Sequence, residues 1–284
     1  MNDTTSAQHL AIAKFRALHE SGCFVLPNPW DAGTAVYLEH LGFAALATTS
    51  AGFAFSRALP DSVTVVGRGA MLDHIREIVA ATTLPVNADF QNGYADNAED
   101  VAASVSLCIA TGVAGLSIED ATGNLETPLY QTDLAIDRIK AARAAIDASG
   151  IPVVLTARCE AFLVGHPDPM ATAHARLLAY AEAGADCLYA PGLAVPDQIA
   201  ALVKAVAPKP INVLMPVRGH SLLVSQLADL GVRRVSVGSG LARVAWGAFI
   251  RAASELLDAG SFACFADATP FNELNEVFTK NSLA

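Results

Sequence analysis

Hydrophobic and polar positions follow two rhythms along this chain, a helical spacing of three to four residues and short continuous apolar runs. The helical rhythm comes first, in His9 to Glu20, where Leu10, Ala13, Phe15 and Leu18 predict an amphipathic helix. It gives way to Cys23-Phe24-Val25-Leu26-Pro27, a short apolar run that reads as a strand. The exchange then repeats. Helices are predicted over Ala32 to Leu41, about Val65 to Ala81, Asn97 to Thr111, Thr132 to Ser149, Met170 to Ala183, Pro196 to Val206, Ser221 to Leu230 and Leu241 to Leu257. Between them lie apolar runs at Phe43 to Thr48, Pro85 to Ala88, Gly115 to Ile118, Val153 to Ala157, Cys187 to Ala190, Ile211 to Leu214 and Val235 to Val237. Gly42, Gly112, Gly150 and Gly184 each follow a predicted helix, the position where a left-handed residue closes the last turn.

Eight strands alternating with helices, at roughly 25 to 35 residues per repeat, have the count and spacing of an α/β fold of the (β/α)8 TIM barrel type. The rival, a doubly wound open sheet, needs a Gly-rich turn after the first strand, and this chain has Asn28-Pro29-Trp30-Asp31 there. Residues 1–260 are expected to form the catalytic barrel and residues 261–284 an additional C-terminal helical segment. Phe265, Phe271, Leu274, Val277 and Phe278 of that tail follow a finished core, so the tail is expected to pack on a neighbouring subunit of a homo-oligomer, a dimer or tetramer. Thr49 to Asp61 is long, rich in small residues and without periodicity, and reads as a structureless loop over the site.

Composition and charge remove several function classes. No apolar run approaches the ~20 residues of a membrane span, and the polar start Met1 to Gln8 lacks the pattern of a secretory signal, so a soluble cytoplasmic protein is expected. The five cysteines (Cys23, Cys108, Cys159, Cys187, Cys264) are scattered and odd in number, which reads as reduced core thiols, not a disulfide or zinc framework. A formal charge of -10 with no Lys/Arg cluster argues against nucleic acid as a partner. An anionic substrate would need local cations.

In a barrel the informative positions are the strand ends and the loops after them. Asp89 ends the third run and Glu119 the fourth, so two carboxylates emerge at one edge of a parallel sheet. Oxygen ligands that converge without Cys or His suit Mg²⁺; alternatively the two acids cap the helices that follow. The same edge carries Thr49, Ser50, Ala51 and Asp61 after the second strand, Gln91 after the third, Asp120 after the fourth, and Arg158 with Glu160 after the fifth. Arg158 could grip a substrate carboxylate through two parallel hydrogen bonds while a metal on Asp89 takes the opposite side, or it could pair with Glu160 or Glu119. His166 and His174 have no nucleophile in reach, and Cys159, next to Arg158, alternates to the opposite face of its strand.

Five motifs recur in an order that points further: Asn28-Pro29-Trp30-Asp31-Ala32, Ser56-Arg57-Ala58-Leu59-Pro60-Asp61-Ser62, Asp89-Phe90-Gln91-Asn92-Gly93-Tyr94, Gly112 through Asp120, and Ala157-Arg158-Cys159-Glu160-Ala161-Phe162. In these the chain resembles the isocitrate lyase and phosphoenolpyruvate mutase superfamily. The resemblance implies a barrel enzyme that uses Mg²⁺, with Mn²⁺ as a substitute. It also implies exchange of C-terminal helices between subunits and action on a small anionic 2-oxo acid through an enolate. It implies Asp89 as the direct metal ligand, and Glu119 and Asp61 as acids holding metal-bound waters and sharing catalysis with Arg158. Thr49, Ser50, Ala51, Arg158 and Asn212 fall at substrate-binding positions. Gln91 stands where many members carry a second acid, so a charge is missing. The loop Ala121 to Gln131 has no cysteine where the lyases carry a Lys-Lys-Cys-Gly-His type motif, and Pro191 replaces the histidine of the phosphonate mutases. The expected reaction is C–C bond cleavage such as oxaloacetate decarboxylation. The alternatives are a phosphoenolpyruvate mutase or phosphonopyruvate hydrolase, and a non-catalytic 2-oxo acid binding protein.

Overall fold

A computed structural model describes residues 2–215, 217, 219 and 221–282. Its eight strands are β1 (Phe24–Leu26), β2 (Leu46–Ala47), β3 (Val86–Asp89), β4 (Gly115–Glu119), β5 (Val154–Arg158), β6 (Cys187–Tyr189), β7 (Ile211–Leu214) and β8 (Arg234–Ser236). They pair in the order β1-β8-β7-β6-β5-β4-β3-β2, all parallel. The two end strands share no ladder, but the Ala47 amide donates to the Pro27 carbonyl at 3.0 Å and brings the sheet nearly to closure. The expected (β/α)8 barrel is therefore the observed fold.

Around it lie α1 (Asn2–Glu20), α2 (Ala32–His40), α3 (Ser50–Ser56), α4 (Arg68–Ala80), α5 (Ala98–Ile109), α6 (Thr132–Ser149), α7 (Pro169–Glu182), α8 (Pro196–Val206), α9 (Val224–Asp229), α10 (Gly240–Ala259) and α11 (Phe271–Ser282). Local chemistry sets their starts. Asp31 caps α2 by accepting from the Thr34 amide, Asn97 caps α5 through the Asp100 amide, and Asp168 precedes Pro169 at the head of α7. The segment Thr49 to Asp61 departs from expectation. It is not structureless: Thr49 accepts a hydrogen bond from the Gly52 amide and caps α3, which buries Phe53 and Ala54. Small residues hid this helix, because a two-turn element with two buried apolar side chains leaves almost no periodic trace.

The far end of the barrel is sealed by α1. Its Phe15 is fully buried, and a side chain at Gly115 would meet the Phe15 ring and the Asn87 amide oxygen, each at 2.8 Å. Gln8 fixes the same helix by donating to the carbonyls of Ile109 and Val113 at 2.9 and 3.0 Å. At the other terminus α11 lies against α2 of the same chain, where Tyr37 donates to Glu273 at 2.8 Å and Val277 is buried. Residues 283 and 284 of the expected tail lie outside the described residues.

One side-chain amide spans the seam of the barrel. Buried Asn28, just after β1, donates from Nδ2 to the Thr48 carbonyl at 2.8 Å. Its Oδ1 accepts from the amides of Val237 and Gly238 at 3.0 and 2.9 Å. The side chain thus ties β1 to the ends of β2 and β8. Asn28→Leu would strand one carbonyl and two amides, at about 1 to 3 kcal/mol for each group left unsatisfied. A denaturant midpoint well below that of the parent is expected, and an unchanged midpoint would mean that the seam does not depend on Asn28.

Candidate active site

Strand ends converge on a cavity of about 180 Å³ at the carboxyl edge of the barrel, room for a small acid and not for a nucleotide. Arg158, paired in register with Glu119 across β4 and β5, is its most connected residue. Its Nη1 reaches Asp89 Oδ1 at 2.6 Å, its Nη2 reaches Glu119 Oε2 at 3.0 Å, and its Nε reaches Glu160 Oε1 at 2.9 Å. The side chain is only 14% exposed, so these are desolvated, charge-assisted bonds. The second oxygen of Asp89 accepts the Ser50 amide at 2.9 Å, and the Asp89 amide donates to Thr48 Oγ1 at 2.9 Å. Asp61 joins through Gln91, whose Nε2 donates to Asp61 Oδ1 at 3.0 Å.

Burial and mutual repulsion raise Glu119, Glu160 and Asp61. Glu119 is pushed well above the usual carboxylate range by desolvation, against the pull of Arg158. Glu160 rises for the same reasons, and Asp61 rises through burial and the charge of Asp89. For Arg158, desolvation is outweighed by the charges of Glu160, Glu119 and Asp89, so its own charge is held firmly. Four carboxylates around one guanidinium leave an excess of three negative charges when all are ionised.

The expected residues come together, with differences in detail. Thr49, Ser50, Ala51, Asp61, Asp89, Arg158 and Asn212 all line the cavity; Glu119 stands behind Arg158. Arg158 does not face Asp89 across the site but holds it directly, because Asp89 on β3 and Glu119 on β4 both lean toward the guanidinium. Gln91, read as a missing charge, has a left-handed backbone (φ 46°) and spends its amide hydrogen on Asp61. Asp120 points away from the cavity, accepting from Arg176, Tyr180 and the Glu160 amide at 2.7 to 2.8 Å. Cys159 is buried in the core, and burial raises its thiol. His166 is absent from the cavity and touches Thr172 and the Asp168 amide.

Sequence reasoning missed the layer beneath. Asn87, Ser117, Tyr189, Arg234 and Ser236 also line the cavity, and the Arg158 guanidinium sits 5.2 Å from the centre of the Tyr189 ring. The available signal was the two-residue alternation: Asn87 with Asp89, Ser117 with Glu119 and Thr156 with Arg158 put polar residues at successive inward positions.

The donor set can be tested against a metal. Among the described residues no group of three or more His, Cys, Asp or Glu is arranged to enclose an ion. What the cavity offers is the Asp89 carboxylate with Asp61 nearby and surplus negative charge; beside Asp61 the side chain of Gln91 adds a buried amide oxygen, Oε1, without a hydrogen-bond partner. A few hard oxygen donors fit a divalent cation that keeps several waters and leans on one or two carboxylates.

Residues 15–257 match the family described as phosphoenolpyruvate phosphomutase. A solved structure from Burkholderia cenocepacia J2315 is 50% identical, with a TM-score of 0.93 over 96% of this chain and 97% of that one. The oxaloacetate decarboxylase of Bradyrhizobium sp. strain BTAi1 is 33% identical over 222 residues, 76% of this chain and 73% of that protein. Oxaloacetate acetylhydrolase, solved with its product oxalate, is 28% identical with a TM-score of 0.85, covering 97% of this chain and 96% of that one. Proteins of this family act on small acids and generally use a divalent metal. Among the described residues no helix is long and apolar enough to cross a membrane. By its barrel, its strand-end acids and this match, the chain belongs to the phosphoenolpyruvate phosphomutase family and is an enzyme.

Proposed function

We propose that the enzyme decarboxylates oxaloacetate in the cytoplasm with Mg²⁺, for which Mn²⁺ substitutes. The observation that carries this reading is Arg158, a buried guanidinium among three carboxylates at the mouth of a cavity sized for a small acid. Asp89, with Glu119 and Asp61, would hold the cation; when bound, it supplies Lewis-acid polarisation of the 2-oxo group. Arg158 exchanges an acid partner for the carboxylate beside that group, and the hydroxyl of Thr49 with the backbone of Ser50 and Ala51 orients it. The C3–C4 bond then breaks, its electron pair passes into the C2–C3 enolate, and C4 leaves as CO2. Water returns a proton to C3 to give pyruvate. A positioned proton donor contributes roughly 10² to 10⁴ in rate, and the loop Ala121 to Gln131 supplies no thiol, which disfavours substrates whose cleavage needs one.

Pyruvate release above the background of metal alone is the expected result, with no glyoxylate or succinate from lyase substrates. Arg158→Ala should lower kcat/KM by about 10² or more, the scale of removing a charge-assisted hydrogen bond at the reacting centre. Titration of Mn²⁺ should find Asp89→Ala weakened at least about tenfold more than Glu119→Ala, since an acid acting through water is replaced by another water. Equal affinities in both variants and the parent would remove the metal assignment, while oxalate with acetate as products would identify a hydrolase.

We further propose a homo-oligomer, dimer or tetramer, whose interface includes α10 and the tail. Val244, Phe249, Leu257, Phe262 and Phe271 are all exposed there, large apolar side chains of the kind that mark an interaction surface. Truncation after Gly260 should lower the mass in solution or cause aggregation; a parent that sediments as a monomer contradicts it.

A further inference from the structure

Beneath the acid cluster lies a second guanidinium that the proposed reaction does not use. Arg234, at the head of β8, is 2% exposed and lines the floor of the same cavity. Its Nε donates to Asn212 Oδ1 at 2.9 Å, its Nη2 to Thr156 Oγ1 at 3.1 Å, and its Nη1 lies 3.4 Å from His19 Nε2. All three partners are neutral; burial and the charge of Arg234 push His19 down to about 3. No carboxylate lies within 4 Å of Arg234 among the described residues. The other deeply buried arginines are better compensated: Arg176 pairs with Asp120 at 2.8 Å, and Arg138 donates to three backbone carbonyls.

A guanidinium is always charged and carries five N–H groups, and three hydrogen bonds leave two without an acceptor. A buried cation lacking a counter-ion is costly unless something anionic arrives to face it. Thr156 precedes Arg158 by two residues on β5, so the floor cation lies about 6 to 7 Å below the Arg158 position along the strand. A four-carbon diacid spans such a gap with one carboxylate toward each end. We propose that Arg234 is a specificity-determining residue: it forms a floor subsite for the second carboxylate of a 2-oxo dicarboxylate and so discriminates against monocarboxylates.

This rests on the 2-oxo acid reading of the site but can fail independently of it. A carboxylate gripped by Arg234 is stabilised before it departs as neutral CO2, so the grip favours binding more than bond cleavage. Two probes with the same 2-oxo acid head, pyruvate and 2-oxoglutarate, neither of which has a carboxylate β to the oxo group to lose, are titrated calorimetrically with Mg²⁺ present into the parent, Arg234→Met and Arg234→Lys. The parent should bind the dicarboxylate at least about tenfold more tightly, the weight of one hydrogen-bonded charge pair. Arg234→Met should erase that preference with pyruvate affinity within twofold, and Arg234→Lys, lacking the planar fork, should reduce it at least threefold. In turnover of oxaloacetate, Arg234→Met should raise KM about tenfold without lowering kcat. A parent with no preference overturns the proposal before any variant is made. An unchanged preference in either variant, or equal weakening of both probes, also overturns it. Dicarboxylate preference without CO2 release would leave the subsite standing and remove the decarboxylation.

Discussion

A single guanidinium organises the carboxyl edge of this barrel. Arg158 collects Asp89 from β3, Glu119 from β4 and Glu160 from the turn after β5, and each acid is anchored from behind: Asp89 by Thr48 and Ser50, Glu160 through Asp120. Like charges held this close and out of water repel one another, so the arrangement persists only with a cation at its centre. The excess of acids over Arg158 has a further effect. It keeps the site attractive to positive charge while presenting the Arg158 guanidinium to a carboxylate at the rim, so a cation and an anion can be accommodated side by side.

How legible was this in the sequence? The eight strands were, because helices cover the sheet outside and side chains fill it inside, leaving apolar runs with little else to explain them. Asp89, Glu119 and Arg158 were legible for the same reason: each is the first charge after such a run. The helix α3 was not, since Ser50-Ala51-Gly52-Phe53 has neither the length nor the pattern that separates helix from loop. The cavity floor was hidden by a shift of one residue. Reading the last strand as Val235 to Val237 leaves Arg234 in the preceding turn with Arg233, where a surface arginine is unremarked; the actual strand begins one residue earlier and turns Arg234 inward.

The direction of each side chain is a tertiary matter even when its position is not. Asp120 and Glu119 are neighbours in sequence and equally acidic, yet Glu119 belongs to the cavity's charge cluster and Asp120 is locked to Arg176 and Tyr180 of α7. Strand alternation predicts that they diverge, but not which of them faces inward; that is settled by where Arg176 lies. Gln91 shows the converse. Its left-handed backbone turns the amide toward Asp61, a pairing that no spacing rule announces.

The seal formed by α1 has a consequence for traffic. With Phe15 seated against Gly115, the barrel is a blind well, open only where the strand-end acids stand. Everything that enters must leave by the route it came, past Arg158. The end of a molecule that leads into such a well is the last to see solvent again, so a fragment released at the bottom escapes only around whatever is still held at the rim. The grip at the mouth therefore sets the pace at which the floor of the well empties.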